Sequence, residues 1–459
     1  MQMRKRITKI FLFILLFIAL NGIVFAQGEK KEDSQKRQIH LSIEEAVELA
    51  LKNNRSLQTT GRSLKSAESS YRAARGSYYP RLTGNISTSH SADIHIITDP
   101  PIQNSGSGGI GINFSLPLDI SGTTGRSVQQ SYISLSTSKA NYISECQNLI
   151  VTVYTQYYEI LRSRKTIDID HAQVEAAEEQ LRIARARLEK GRVPEVDVLT
   201  ATVQLNNARQ TAKADEATYL NAMSTLLNTL VLDRGAEIVA TTELEYVPAQ
   251  FDYEAAEKEA LQNRLEMKIS HLRLKAARIS LKSTYDVYRP TLGVSADWGY
   301  SISGTSYSEA IDARPKEPHW SVTTSLNIPL FTFDGGSTRE SRTQARINLE
   351  QAQADIDQTV DSIRLEVRNE LTNFENAQER VSIVEDSIKL AEESLKVTEL
   401  RYGLGTSSYL ELVDARNNLR TTELNLLDAL IAHSLSKIKV YKAMGKSVVK
   451  DTGQLIKEK

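Results

Sequence analysis

The sequence predicts a mainly α-helical chain that carries a membrane β-barrel and consists of two tandem copies of one unit. Three observations predict this class: an internal repeat at an offset of 210 to 214 residues, four long runs without glycine or proline, and four short segments that alternate apolar and polar residues. A length of 459 residues would by itself suggest two or three globular domains, so the repeat decides the organisation.

Residues 1–26 have the pattern of a secretory signal peptide. Four basic residues precede an apolar stretch at 10–20, and small or modest residues follow it where a signal peptidase cuts. The alternative is a membrane-spanning helix, which needs about 20 apolar residues. Asn21 and Gly22 interrupt this apolar stretch. We therefore expect export of the mature chain, with a charged linker at 27–40.

Composition excludes several classes of protein. Cys146 is the only cysteine, so an intrachain disulfide is excluded. It also lies far from the predicted cleavage site, and we expect no lipid anchor. Without the four basic residues of the signal, 52 Lys and Arg oppose 57 Asp and Glu, a formal charge of −5. This mild acidic excess argues against a nucleic-acid partner.

The repeat is visible at matched positions along the chain. The segment "LSIEEAVELALKN" at 41–53 matches "FDYEAAEKEALQN" at 251–263, an offset of 210. The glycine breaks at Gly191 and Gly405 are 214 apart, which small insertions explain. The predicted organisation is repeat 1 at 41–240, repeat 2 at 251–445 and a C-terminal tail at 446–459.

Long uninterrupted runs predict the helices. Runs without glycine or proline lie at 126–190, 195–234, 337–402 and 406–444. At about 1.5 Å per residue, a helix over 126–190 is a rod of roughly 100 Å. Apolar residues recur with a period of 3.5, as at Val174, Ala177 and Leu181, which is typical of a coiled-coil seam. In each copy, two shorter helices are long enough together to stack end to end beside one long helix. These pairs are 42–79 with 195–234 and 252–289 with 406–444.

Period-two alternation predicts four strands, within about 80–118 of repeat 1 and about 290–331 of repeat 2. One face is aliphatic or aromatic and includes Trp298 and Trp320, and the other is small or polar. A soluble sandwich gives the same alternation, but an apolar outside with interface tryptophans and a polar inside matches a membrane barrel. Two strand pairs cannot close a hollow barrel, and an open edge cannot lie in lipid, so several chains must combine.

From about residue 40 onward, the chain resembles the TolC-type outer-membrane efflux factors. The resemblance rests on the signal peptide, the duplication, two strand pairs that end in "PL", the long helices, and the motif "RYGLGTSSYLELVDARNNL" at 401–419. It implies a homotrimer in which four strands per chain form a twelve-stranded barrel in the outer membrane of a Gram-negative cell. Twelve helices then form a tapering tunnel across the periplasm.

The resemblance implies a passive exit duct and not an enzyme. Its expected partners are outer-membrane lipid, a periplasmic adaptor (membrane fusion protein) and an inner-membrane pump of the RND or ABC type, and no cofactor is expected. Two alternatives remain: a periplasmic adaptor, which predicts one hairpin and soluble β domains, and a structural coiled-coil envelope protein, which predicts no strands. Drugs, metal ions and polypeptides all use ducts of this design, and the sequence does not choose among them.

The resemblance also places a gate at the two hairpin tips, whose turns are Gly191, Pro194, Gly403 and Gly405. Glu411 and Asp414 match carboxylates that face the lumen, each present three times in a trimer. Such rings concentrate cations in a narrow mouth. The alternative role for both residues is to cap the first turns of a helix, where the helix dipole favours negative charge.

A latch for this gate is implied at Tyr402 and Asp197, which match a tyrosine and an aspartate that the family links between neighbouring hairpins. Packing on the helical seam is the alternative role for Tyr402. In the family, an arginine forms a second link of this latch. Ser407 occupies the position of that arginine here. Here the chain departs from the family pattern, and Arg192 and Arg401 are candidates to replace that arginine.

No catalytic or metal-binding pattern is predicted. The sequence contains no HExxH, GxSxG or Walker motif. His90, Asp93 and His95 could bind a metal ion, but no second half of a site is near them in the sequence. We therefore interpret them as ordinary residues of an outer loop.

Overall fold

A computed structural model describes residues 38–94, 102–304 and 318–446, apart from 234, 243, 245 and 332. Side chains at 92–94 and 102–105 are not included in the description. The signal peptide, most of the linker and the tail from 447 lie outside the described residues. The elements follow in chain order: β1 Gln38–Leu41, α1 Ile43–Asn53, α2 Arg55–Gly76, β2 Arg81–Ile94, β3 Ile102–Leu118, α3 Thr123–Glu189, α4 Glu195–Leu230, β4 Glu237–Ala240, α5 Tyr253–Asn263, α6 Leu265–Ser283, β5 Thr291–Gly304, β6 His319–Asn327, α7 Ser337–Gly403 and α8 Tyr409–Ala443.

The two longest helices occupy equivalent places in the two copies. Helices α3 and α7 each have 67 residues, about 100 Å of rod, as the uninterrupted runs predict. Each begins after a left-handed glycine, Gly122 or Gly336. Asp119 accepts the backbone N–H of Gly125 at 2.8 Å, and Asp334 accepts that of Thr338 at 2.8 Å. The same capping device therefore starts both rods.

The shorter runs at 42–79 and 252–289 are each divided into two helices, which the sequence analysis did not predict. The break in repeat 1 is at Asn54, whose Oδ1 accepts the N–H of Leu57 at 3.1 Å and whose Nδ2 donates to the Thr229 carbonyl at 3.0 Å. The break in repeat 2 is at the buried Arg264, whose guanidinium lies 3.0 Å from Glu266 and 2.6 Å from Glu366. Long-range contacts, which local composition does not reveal, stabilise both breaks.

A small parallel sheet lies near the middle of the helical region. β1 pairs with β4 from Gln38 opposite Glu237 to Leu41 opposite Ala240. β1 therefore begins inside the segment that the sequence assigns to the charged linker. Next to this sheet, the buried Tyr157 of α3 donates its hydroxyl to the Leu41 carbonyl at 2.9 Å. The hydroxyl oxygen of Tyr157 also accepts the N–H groups of Thr241 and Thr242, each at 3.1 Å.

The four predicted strands form one antiparallel sheet in the order β2-β3-β5-β6. The two copies join at its centre, where β3 pairs with β5 and Ile110 stands opposite Tyr300. β2 and β6 are the two edges of this sheet within one chain. The strand prediction is confirmed, including its division into two pairs.

The main apolar cores lie at equivalent levels of the two copies. In repeat 1, side chains of α1, α3 and α4, such as Val47, Val153 and Leu226, pack together under the small sheet. In repeat 2, Ala256, Val367 and Phe374 form the matching cluster. Within the described part of the chain, no helix combines the length and the apolar character needed to cross a membrane.

Candidate functional site

Two glycine turns end the long helices, as the sequence predicts. Gly191 has φ of 63° and Gly405 has φ of 77°. Residues with a Cβ adopt this left-handed backbone conformation only at a cost in free energy. Gly403 is the last residue of α7. Pro194 stands at the N-cap of α4, and its carbonyl accepts the N–H of Asp197 at 3.1 Å. Each turn reverses the chain into a returning helix.

Glu411 is held within its own hairpin. Ser408 is the N-cap of α8, and its hydroxyl oxygen accepts the Glu411 N–H at 3.2 Å. The Glu411 carboxylate accepts the hydroxyl of Ser407 at 2.6 Å and that of Ser408 at 3.3 Å. The hydrogen bond from Ser407 is the main cause that lowers the pKa of Glu411. Glu411 therefore lies in the first turn of α8, where the helix dipole favours a negative charge, and keeps that charge at the tip.

Asp414 lies one helical turn beyond Glu411 and is exposed. It forms no hydrogen bond or ion pair with any residue that the structure describes. Asp197 occupies the position equivalent to Glu411 in the first hairpin, 214 residues earlier, and also falls in the first turn of its helix. Both hairpin tips thus carry acidic residues in the first turn of the returning helix.

Tyr402 packs between the two hairpins. The guanidinium carbon of Arg187, on the first hairpin, lies 4.9 Å from the Tyr402 ring centre, and the Tyr409 ring is 6.0 Å away. Tyr402 forms no hydrogen bond to Asp197 among the described contacts. Burial raises the pKa of Tyr409, and the charges of Tyr402 and Asp197 raise it further. The expected latch residues are therefore neighbours of Tyr409 without a direct link to each other in the single chain.

Arg192 and Arg401, the two candidates to replace the arginine expected at position 407, each lie in their own hairpin turn. Arg401 approaches the Thr406 carbonyl at 3.4 Å within the second hairpin turn, and Arg192 is exposed in the first. Ser407, at the position where the family has an arginine, donates to Glu411 as described above. In this chain the Ser407 hydroxyl forms its hydrogen bond inside one hairpin.

A line of polar contacts that sequence reasoning did not predict joins α3 of the first copy to α8 of the second. Arg416 donates to the Ala176 carbonyl at 3.2 Å and to Glu399 at 3.0 Å. Arg420 contacts Asp170, and Arg162 contacts Asp428 at 2.6 Å. Glu399 lies on α7, 17 residues before Arg416, but the partners on α3 are about 240 to 266 residues away, so only the antiparallel packing of α3 and α8 brings these together with α8.

The four-stranded sheet has two chemically different faces. One directly paired row contains Ile112, Trp298 and Trp320, which are 44%, 48% and 75% exposed in the single chain. The row one position along contains Thr83, Asn113, Asp297 and Ser321. There, Asn113 donates to the Asp297 carboxylate at 2.6 Å. The two tryptophans therefore share the apolar face, as the sequence predicts.

A cluster of residues that commonly bind metal ions was sought among the described residues. Within residues 38–94, 102–304 and 318–446, no group of three or more His, Cys, Asp or Glu side chains could hold one. Of the three residues considered from the sequence, His95 and the side chain of Asp93 lie outside the description. The tip of the hairpins and the two-faced sheet remain as the candidate functional surfaces.

Comparisons with known proteins agree with this architecture. The sequence model of the outer membrane efflux protein family matches residues 46–230 and 257–446, one stretch in each copy. Outer membrane efflux protein BepC of Brucella suis is 24% identical over 393 residues, which cover 84% of this chain and 81% of BepC. Outer membrane protein TolC of Vibrio cholerae is 25% identical over 348 residues, which cover 73% of this chain and 76% of TolC.

Solved structures show the same fold. The Campylobacter jejuni CmeC outer membrane channel superposes with a TM-score of 0.76 at 18% identity, and the match covers 91% of this chain and 88% of CmeC. The open state of the Neisseria gonorrhoeae MtrE outer membrane channel gives a TM-score of 0.70, with 89% and 90% covered. The resemblance to TolC-type proteins is thereby confirmed.

Proposed function

This chain belongs to the outer membrane efflux protein family, and on that premise we propose that it is the outer-membrane exit duct of an efflux or secretion system. Three copies form one passive channel through which substrates cross the periplasm and the outer membrane. Energy comes from the inner-membrane pump to which the channel connects. The chain itself catalyses no reaction.

The observation that supports this function best is the unclosed, two-faced sheet. Its apolar face exposes large side chains, among them Ile86 at 85%, Trp320 at 75% and Val322 at 62%. Its opposite face is polar, and among the described residues the outer backbone groups of the edges β2 and β6 have no partner strand. In lipid each unpaired backbone group costs several kcal/mol, so the sheet requires edge-to-edge closure with other copies.

Three copies satisfy this requirement in the way the resemblance implies. Four strands per chain give twelve strands, a barrel wide enough to hold water and not only side chains. The apolar face then meets lipid and the face with Asn113 and Asp297 lines the passage. Trp298 and Trp320 lie where aromatic side chains contact the membrane interface.

The helices also have unpartnered apolar surface. Large side chains remain exposed on α4, including Val196 at 64% and Val203 at 55%, and on α7, including Leu390 at 72% and Leu400 at 63%. Such residues at coiled-coil spacing are typical of a helix that packs against another copy. We infer that α7 of one chain packs beside α4 of the next and completes a ring of helices.

The closed end of this ring is the gate. Three copies of Glu411 and Asp414 give six carboxylates around the mouth, and the pKa of Glu411 is already lowered in one chain. We infer that Tyr402 and Asp197 latch the gate when the hairpins of the trimer meet. The position of Glu411 in the first turn of α8 is compatible with the ring, because its hydrogen bonds with Ser407 and Ser408 leave the charge in place.

The partners follow from the proposed function. A periplasmic adaptor and an inner-membrane pump of the RND or ABC type would meet the hairpin tips, and the nature of the cargo stays open. A periplasmic adaptor would have a single hairpin, and a structural coiled-coil protein would lack the strands. Two hairpins and a four-stranded sheet fit neither alternative.

Fractionation and single-channel recording test the proposal together. The full-length chain should appear in the outer-membrane fraction as a trimer that dissociates on heating in detergent. Purified trimer should form water-filled channels in planar lipid bilayers. A monomer in the periplasmic fraction would refute the proposal.

A further inference from the structure

Large apolar and aromatic side chains lie directly beyond the two edge strands of the sheet, on the side of the helices. Before β2 these are Tyr78 and Tyr79, and after β6 they are Leu330, Phe331 and Phe333. Their exposed fractions run from 46% for Tyr78 to 96% for Phe333. Exposed groups of this kind are typical of surfaces that another molecule covers.

The connections under the middle of the sheet contact each other within one chain. Arg126, at the start of α3, donates its Nε to Asp286 at 2.9 Å. Arg289, just before β5, donates to the Ser121 carbonyl at 2.8 Å. On their outer sides, the connections under β2 and β6 have no such neighbour among the described residues, because these strands stand at opposite ends of the sheet.

The positions of the strand ends indicate how the next copy continues the sheet. Arg81, Ser115, Ser295 and Thr323 stand in one row across the four strands. β2 begins at this row, but β6 continues for four residues beyond it, from Thr323 to Asn327. Since all four strands end where the helices begin, the row climbs away from the helices as it passes from β2 to β6. Strands that tilt against the axis of a barrel produce such a climb.

The geometry of a closed barrel limits how far this climb continues into the next copy. In a barrel of twelve strands tilted by 35–45°, a row gains about 12 to 18 residues in one circuit, for strands about 4.8 Å apart and about 3.3 Å per residue. Three equal copies share this gain, which gives an offset of about four to six residues per chain. An offset of five would place Thr323, of the polar row, opposite Ile86, of the apolar row, so the offset is four or six.

The alternating pattern does not choose between these two offsets, because a slip of two residues leaves every side chain on its own face. The segments beyond the edges do distinguish them. Counted antiparallel along the two edges, an offset of six brings Phe331 opposite Tyr79 of the next copy, whereas an offset of four brings Pro329 there. Phe331 and Phe333 already lie in edge contact, with ring centres 4.4 Å apart. An offset of six adds aromatic rings of the next copy to this pair, which is stabilising beyond the area that it buries.

We propose that Phe331 and Phe333 of one copy pack against Tyr78 and Tyr79 of the next, and that this aromatic contact fixes the offset of six at which β6 pairs with β2. The contact rests on the proposed trimer, in which it occurs three times, where the barrel meets the helices. The next copy is the occupant because the exposed residues adjoin the two edges that closure joins, so the contact continues the strand pairing. Membrane lipid is the alternative cover for these side chains.

Disulfide trapping in the full-length chain tests the register. Tyr79→Cys combined with Phe331→Cys, oxidised with copper phenanthroline in isolated outer membranes, should give covalent dimers and trimers on non-reducing electrophoresis. Tyr79→Cys combined with Pro329→Cys is the matched control and should stay monomeric after heating. A pair that is two residues out of register is about 7–8 Å apart, which is too far for a disulfide.

The outcomes separate this contact from the proposed function. A trimer seen by native mass spectrometry without a cross-link between positions 79 and 331, or with a cross-link in the control pair instead, would overturn the contact and leave the exit duct standing. The absence of any trimer would refute both.

The heat stability of the trimer gives a second measurement, which needs no cysteines. Phe331→Ala combined with Phe333→Ala should lower the temperature at which the trimer dissociates in SDS by several degrees, because the contact is lost at all three joints. Val322→Ala combined with Leu326→Ala removes exposed apolar side chains from the lipid face of β6 and should change this temperature much less. Equal shifts for the two double variants would assign Phe331 and Phe333 to lipid and overturn the proposal.

Discussion

The rings of Tyr402 and Tyr409 lie 6.0 Å apart across the second hairpin turn, and the guanidinium carbon of Arg187 of the first hairpin lies 4.9 Å from the Tyr402 ring centre. Tyr409 is 8% exposed and packs with Leu181 and Ala201 of the first hairpin. The two hairpins of one chain are therefore in contact at their tips. Any movement that widens the mouth must separate or shift this contact.

Tyr402→Phe should raise the resting conductance of the channel in planar bilayers. The substitution keeps the ring and its contacts with Arg187 and Tyr409, and it removes only the hydroxyl that would reach Asp197 in the assembled gate. Tyr253→Phe, far from the tips, is the control and should leave conductance unchanged. An unchanged conductance for Tyr402→Phe would assign this residue to packing alone.

Neutralising the acidic mouth should reduce cation selectivity. In Glu411→Gln combined with Asp414→Asn, the reversal potential under a KCl gradient should move toward zero, because six negative charges of the trimer are removed. Asp386→Asn combined with Glu393→Gln removes the same charge from exposed positions higher on α7 and should leave the reversal potential in place. Retained selectivity in the tip variant would show that the carboxylates only cap the helix.

Tyr157→Phe should destabilise the region around the small sheet by about 1–3 kcal/mol. The lost hydroxyl removes the acceptor of the Thr242 N–H and the donor to the Leu41 carbonyl, whereas the Thr241 N–H keeps the Leu41 carbonyl at 3.2 Å. Tyr154→Phe, one turn before it on α3, is the matched control, because the Tyr154 hydroxyl has no hydrogen bond to any residue between 38 and 446 that the structure describes. The measurement is the shift in chemical denaturation of the full chain in detergent. Equal shifts for the two variants would contradict this role of Tyr157.

His433 should make stability depend on pH. Burial lowers the pKa of this imidazole below 6.5, and nearby Lys437 lowers it further. Its other neighbours are the rings of Tyr246 and Phe374, and its Nε2 has no partner among the described residues. The neutral form is therefore favoured in the folded state, so its contribution is present above pH 6.5 and is lost as the pH falls through the lowered pKa.

Thermal unfolding between pH 7.5 and 5 measures this contribution. His433→Leu should lose less stability over that range than the unaltered chain, because the group that takes up a proton on unfolding is absent. His271→Leu, at an exposed position, should follow the unaltered chain. The same pH dependence in all three proteins would exclude His433 as its source.

Local signals in the sequence predict the elements of this fold well. Runs without glycine or proline give the ends of α3 and α7 to within a few residues, and alternation gives all four strands of the large sheet. The breaks at Asn54 and Arg264 and the β1–β4 pairing depend on contacts across roughly 100 to 200 residues. A single sequence gives no periodic signal for such contacts.

The candidate site is predictable only in part for the same reason. The two glycine turns and the acidic first turns are local patterns, and the structure places them as expected at positive φ and in the first turns of α4 and α8. Arg420 with Asp170 and Arg187 with Tyr402 are invisible in the sequence, because each pair joins the two copies. The offset of 214 could have directed attention to Asp197 as the equivalent of Glu411.

Native mass spectrometry of the chain extracted from outer membranes, followed by bilayer recording on the same sample, tests the central claim most directly. We predict a particle of three identical chains that opens discrete, water-filled conductances. A particle of one chain would contradict the claim. A trimer that conducts no ionic current across the bilayer, even when the gate is opened, would also contradict it.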